Sequence, residues 1–278
     1  MAAGRGTRGN GSGPAIRLVC VDVDGTMVGS TGDVHPAVWP AAERARAAGI
    51  RLAICSGRPA FGITRIYAER LDPDGWHSFQ NGASIVHFPS GHSRSARMPP
   101  EHVAMLLERA ADTGRLLELY TDDDYTFVGP PEIARAHAAL LGIPFAQRPV
   151  ESLVGPIVRG QWIVPFAERE ALLAEPHPGL VVSPSTSPLM PELLFVNLTP
   201  AGVDKGSAVR TLAAEYGLTL EQVMFVGDGW NDTPAMALVG CPVAMENAEP
   251  QAIALARRTV GHVDDGGLAE ALALAVEG

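Results

Sequence analysis

Two carboxylates stand two residues apart in Asp22-Val23-Asp24-Gly25-Thr26, where an apolar run ends. On extended backbone, positions i and i+2 point to the same side. Two ionised carboxylates that close repel, so they need a cation or a shared proton. A hard divalent ion with oxygen ligands, such as magnesium, suits the pair and would also neutralise an incoming phosphate. The competing reading is a simple Asp-Gly turn at a strand end.

Three other segments carry similar double meanings. Ser56-Gly57-Arg58 closes a second apolar run. A Ser hydroxyl and backbone N–H groups at a helix N-terminus cradle anions, but Ser56 is equally an ordinary N-cap. Lys205 opens a predicted helix, where its charge opposes the helix dipole. An exposed helix lysine is the common explanation, and a lysine set to hold a phosphoryl oxygen is the functional one. In Gly227-Asp228-Gly229-Trp230-Asn231-Asp232, Asp228 leaves a strand through a glycine turn, as a metal ligand would. Asp232 lies close enough to Pro234 to cap a helix instead, and Asn231 either caps or positions a phosphate.

The elements around these segments explain why they belong together. Residues 16–23, 50–55, 223–226 and 241–245 are short apolar runs that read as buried parallel strands. Helical spacing fills 36–48, 59–70, 204–216 and 268–276, with Gly49 and Gly217 as stops. Strand alternating with helix predicts a doubly wound α/β sheet, which binds ligands in the loops beyond its strand ends. Each of the four segments falls at a strand end or a helix start. Between the halves, residues 84–199 alternate more and carry more turn residues, which predicts an inserted α+β module. Catalytic core is expected over 15–83 and 200–278, and a disordered tail over 1–14.

Composition narrows the class. A chain of 278 residues with 46% hydrophobic and 19% charged residues has material for two compact units. A formal net charge of -10 argues against nucleic acid as a partner. No apolar stretch is long enough for a transmembrane helix or a secretory signal. The three cysteines, Cys20, Cys55 and Cys241, lack metal-ligand spacing and read as free thiols, so a cytoplasmic protein is expected. Oligomeric state leaves no trace in the sequence.

In this order the four segments resemble the motifs of the haloacid dehalogenase superfamily of phosphatases: Asp22 to Thr26, Ser56, Lys205, and Gly227 to Asp232. Asn81-Gly82-Ala83 resembles the NGA of its Cof-like branch, which carries a class IIB cap between the second and third motifs. The resemblance implies a Rossmann-like, doubly wound core with an inserted α+β cap. It implies magnesium-dependent hydrolysis of a small phosphorylated metabolite, a sugar phosphate first, with neither nucleic acid nor membrane as partner. By the same resemblance Asp22 is the nucleophile and Asp24 the acid/base. Asp22, Asp228 and the Asp24 carbonyl hold magnesium, with Asp232 in support. Ser56, Gly57, Lys205 and Asn231 hold phosphate, and Arg58, Asn81 and Gly82 lie near substrate. Glu246 departs from the branch, which often has Gly there, and is expected to crowd the site. Trp162, Tyr120, Tyr125 and His137 are candidate cap contacts, with core packing as the alternative. The rival functions are a phosphomutase of the same superfamily and a non-catalytic metabolite-binding homologue.

Overall fold

The computed structural model describes residues 15–145 and 147–278, so the expected tail over 1–14 lies outside the described residues. The first half of the core runs β1 (Leu18–Val21), α1 (Val38–Ala47), β2 (Arg51–Ile54), α2 (Ile63–Leu71) and β3 (Trp76–Phe79). Strand β4 (Ser84–His87) pairs antiparallel with β3, and β5 (His92–Ser95) pairs antiparallel with β4. Next come α3 (Pro100–Thr113), β6 (Leu116–Tyr120), β7 (Tyr125–Val128), α4 (Pro131–Leu141), β8 (Arg159–Pro165), α5 (Arg169–Ala174), β9 (Leu180–Ser185) and β10 (Leu193–Pro200). The core resumes with α6 (Lys205–Glu215), β11 (Val223–Gly227), α7 (Thr233–Met236), β12 (Cys241–Met245), α8 (Pro250–Leu255), β13 (Arg258–Val260) and α9 (Gly267–Glu277).

The core sheet is parallel, in the order β13-β12-β11-β1-β2. Its central strands β1 and β11 are unbroken apolar runs because helices cover both faces. Val19 and Val21 pack with Ala41, Ala45, Leu71 and Leu272 on one side. Leu18 and Cys20, pointing the other way, pack with Ala208, Leu212 and Met236. Each fully buried aliphatic side chain in such layers contributes about 1.5–3 kcal/mol. This is the doubly wound architecture expected from the strand–helix alternation, and β1 sits at its centre between β11 and β2.

The second sheet is antiparallel, in the order β7-β6-β8-β10-β9. Its outer face packs Leu117, Trp162 and Val196 against Leu106 and Ala110 of α3. Its inner face packs Leu116, Tyr120, Ile163 and Phe195 against Ala134, Ala138 and Leu141 of α4. Trp162, Tyr120 and Tyr125 are therefore core residues, as the packing alternative had it. The Asp122-Asp123-Asp124 turn between β6 and β7 does more than face solvent. Asp122 accepts hydrogen bonds of 2.5 Å from both Ser84 and Ser95, tying this sheet to the β4–β5 hairpin.

The chain leaves β3 through Gln80 and Asn81, whose φ values are +54° and +53°. Consecutive left-handed non-glycine residues cost energy and persist only where surroundings impose them. Here Gln80 donates to the Thr121 carbonyl at 2.8 Å and Asn81 accepts from Asn231 at 3.1 Å. Gly82 follows at φ +94°, where a Cβ would stand 2.4 Å from the Asp204 carbonyl oxygen.

Candidate active site

Parallel pairing aligns Val21 with both Val226 of β11 and Ile54 of β2. Asp22 thus emerges one residue beyond the ladder, Asp228 two residues beyond it on one neighbour, and Ser56 two residues beyond it on the other. Lys205 enters from the first turn of α6, whose N-terminus is fixed by a capping box between Asp204 and Ser207. Its side chain is fully buried, with Nζ donating to Asp22 Oδ1 and to Asp232 Oδ1, each at 2.6 Å. Although burial disfavours its charge, the two carboxylates raise the Lys205 pKa above its ordinary value. The exposed-lysine reading is excluded.

Asp232 does not cap the following helix. Its second oxygen accepts the backbone N–H groups of Asp228 and Gly229, each at 2.9 Å, which folds the acidic loop back under itself. Asp228 accepts from Thr26 Oγ1 at 2.9 Å. Gly25, at φ +81°, passes so close that a Cβ would lie 2.1 Å from Asp228 Oδ2. Asn247 donates to the Gly25 carbonyl at 2.7 Å. Glu246 beside it is exposed and is not among the cleft-lining residues, so the expected crowding does not occur.

Carboxylate oxygens of Asp22, Asp228 and Asp232 lie within 4.8 Å of one another. Three carboxylates against the single ammonium of Lys205 leave an excess of two negative charges in a buried place. Burial pushes the Asp22 carboxyl up to about 7, against the pull of Lys205 and with added repulsion from Asp232. Burial, then repulsion by Asp22 and Asp232, drives Asp228 well above the carboxylate range. An all-oxygen donor set short of two positive charges fits a hard divalent cation. Asp22 and Asp228 would hold it with the Asp24 carbonyl. Asp232 has both oxygens already engaged.

Asp24 is gripped by Arg58, whose Nε and Nη2 donate to its two oxygens at 2.8 and 2.6 Å. Burial pushes the Asp24 carboxyl up, but the guanidinium and its hydrogen bonds outweigh that and hold it below its ordinary value. The Ser56-Gly57-Arg58 segment is not a helix N-terminus, contrary to expectation. Helix α2 begins only at Ile63, after Gly62 turns at φ +68°, where a Cβ would meet the Leu141 carbonyl of α4 at 2.4 Å. The loop is shaped instead by Ser56 Oγ, which accepts from the Arg58 N–H at 3.1 Å. Burial pushes the neighbouring Cys55 thiol up to about 12, which removes it as a nucleophile at neutral pH.

A cleft of about 650 Å³, open at its mouth, joins these groups to the inner face of the second sheet. Asp22, Asp24, Gly57, Arg58, Asp228 and Asn231 line it from the core. Asn81 is buried behind Asn231, and Gly82 packs under Asp204, so neither is a lining residue. From the other side come His137, which was anticipated, and Arg159, Gln161 and Asn197, which were not. Their signal was present: Arg159 and Gln161 are alternate polar residues in an otherwise apolar strand and share one face.

Residues 19–138 and 191–272 match the family of haloacid dehalogenase-like hydrolases. A putative phosphatase of Streptococcus pyogenes is 24% identical over 93% of this chain and 97% of its own length. An HMP-PP phosphatase of Cronobacter sakazakii is 26% identical, covering 86% of this chain and 87% of that one. Among solved structures, a HAD subclass IIB sugar phosphatase superposes with a TM-score of 0.80 at 20% identity, over 93% of this chain and 98% of that one. That last likeness is one of fold.

Proposed function

Because the chain belongs to the haloacid dehalogenase-like hydrolases, we propose that it hydrolyses a small phosphorylated metabolite, a sugar phosphate first, with magnesium and an aspartyl-phosphate intermediate. The observation that carries this reading is the buried Lys205, bonded to Asp22 and Asp232 beside Asp228. Among the similar proteins are a sugar phosphatase and an HMP-PP phosphatase, which supports a small phosphorylated substrate. The free thiols of Cys20, Cys55 and Cys241 suit a reducing compartment, the cytoplasm.

Asp22, tethered through one oxygen by Lys205, presents its carboxylate to phosphorus, and the bond to the leaving oxygen breaks as the acyl phosphate forms. Asp24 protonates that leaving oxygen, then takes a proton from the water that attacks the acyl phosphate. Proton gain by Asp24 requires Arg58 to loosen its fork, since the pair favours the ionised acid. Ser56 and Lys205, with backbone N–H groups of the loop, hold the phosphoryl oxygens. When bound, magnesium supplies positive charge against the phosphoryl oxygens and the acidic loop.

Phosphate release across a panel of phosphorylated metabolites tests the reading. Release is expected with magnesium and is expected to stop on chelation; no release from any of them would refute it. Recovery of an isomerised sugar phosphate in place of free phosphate would identify the mutase.

A second expectation follows from Asp22 and Asp228. Without metal, Asp22 makes the folded chain hold more protons than the unfolded chain between about 3.8 and 7, and the raised Asp228 carboxyl acts in the same direction. Their contribution to stability therefore falls as pH rises through that window. Magnesium reverses this by favouring the ionised forms, so millimolar magnesium should raise the melting temperature more near pH 8 than near pH 5. An equal rise at both would contradict a carboxylate-held ion.

A further inference from the structure

Two arginines line the cleft, and both are buried: Arg58 at 6% exposure and Arg159 at 2%. Their surroundings differ. Arg58 grips both oxygens of Asp24, and that carboxylate raises its pKa above the ordinary arginine value despite burial. Arg159, at the start of β8, forms no ion pair among the described residues. Burial lowers its pKa, and the pull of Tyr120 and Glu118 does not restore it. A buried charge without a counterion is costly and is retained where something pairs it.

Register sets Glu118 opposite Gln161 and Gln161 opposite Asn197, a polar row across the inner face of the second sheet. Arg159 stands two residues along β8 from Gln161, opposite Tyr120. Its hydrogen bonds show which edge is free. Nη1 donates to the Gly57 carbonyl and, at 2.6 Å, to Asn197 Oδ1, which uses both hydrogens of that nitrogen. Nε and Nη2 are buried and meet no acceptor among the described residues. Together they present parallel N–H bonds along one edge, the fork that grips a carboxylate or a phosphate with two hydrogen bonds. The Tyr120 ring backs the guanidinium at 4.0 Å. Glu118 shares that face of the sheet but is already engaged, accepting from Tyr120 at 2.5 Å and pairing with His137 Nδ1 at 2.9 Å.

We propose that Arg159 is a specificity residue whose Nε and Nη2 edge takes a second oxyanion, a carboxylate or phosphate carried by the leaving group of the substrate. This rests on the hydrolytic reading above and adds a requirement to it. The bond to Gly57 sets the fork beside the loop assigned to the phosphoryl group, so the second anion belongs to the part of the substrate that departs. Such an anion would pair a charge that the protein leaves bare, and both new hydrogen bonds would be charge-assisted. A purely structural clasp between the second sheet and the Ser56 loop needs Nη1 alone. It gives no reason for two buried donors to stay open on the far edge.

Matched substrate pairs test the proposal. 3-Phosphoglycerate and glycerol 3-phosphate share a three-carbon skeleton and differ by a carboxylate in place of a hydroxymethyl group. Fructose 1,6-bisphosphate and fructose 6-phosphate differ by a second phosphate. In the unmodified protein, kcat/KM should favour the charged member of at least one pair by about tenfold or more. The pair that responds identifies the oxyanion. Arg159→Gln should erase that preference, and Arg159→Lys, which keeps a charge without the fork, should reduce it. Loss of a clasp alone would slow both members of a pair alike. Calorimetric affinities of Asp22→Asn protein should show the same preference and lose it when Arg159→Gln is added. No preference for either charged member in the unmodified protein overturns the inference, as does a preference that both Arg159 variants keep in full. Affinity for a charged member that depends on Arg159, with no phosphate released from any substrate, would sink the hydrolytic reading and leave this inference standing.

Discussion

Replacing Asp22 by asparagine is expected to lower turnover by at least roughly four orders of magnitude, because the acyl phosphate has no carboxylate on which to form. The shape is unchanged and Asp232 still receives Lys205 at 2.6 Å, so folding is not the cause. Stability should move the other way. Burial already pushes this carboxyl up to about 7, so its ionised form is disfavoured near neutral pH without metal. An amide there removes one of three crowded negative charges, and the metal-free variant should melt at or above the parent temperature near pH 8. The magnesium-dependent rise in melting temperature should shrink with it. Turnover within tenfold of the parent, in protein free of contaminating phosphatase, would dismiss Asp22 as nucleophile.

The second large effect belongs to Lys205→Met. A flexible apolar chain of similar length fills the space but leaves Asp22, Asp228 and Asp232 facing one another with no ammonium between them. Removing one partner of a buried ion pair typically costs about 3–5 kcal/mol. The loss should be larger near pH 8 than near pH 5, since Asp22 and Asp228 can take up protons in acid and relieve the repulsion. Activity should disappear too, with Asp22 no longer tethered. Denaturant midpoints at the two pH values read the effect. A loss below about 1 kcal/mol near pH 8 would mean that solvent, not Lys205, balances these charges.

Much of the core was legible because its strands are short apolar runs that stop at chemistry-bearing residues. Parallel pairing then turns separate sequence positions into one site, so Asp22, Lys205 and Asp228 were recognisable from type and order. What stayed hidden depends on partners distant in sequence. Arg58 was expected near substrate and does line the cleft, but its grip on Asp24 was not foreseen, since nothing local to either residue announces a contact across 34 positions. The Ser56 loop was expected to open a helix because Pro59 suits a first turn. Contact between Gly62 and the end of α4 keeps the chain irregular there, and no rule of local propensity encodes that contact. The polar row of the second sheet left a trace in Leu116–Tyr120 and Arg159–Pro165, where Glu118 and Gln161 interrupt apolar stretches. Recognising it required the register that sets them opposite each other.

That same pairing of β1 with β11 has a mechanical consequence. Neighbouring strands stand about 4.8 Å apart whatever side chains they carry, so backbone hydrogen bonds rule the spacing of Asp22 from Asp228. Repacking the layers above and below strains the helices long before it stretches that ladder. Tolerance to sequence drift in the interior and fidelity at the reaction centre are thereby uncoupled. The framework can age while its gauge block stays true.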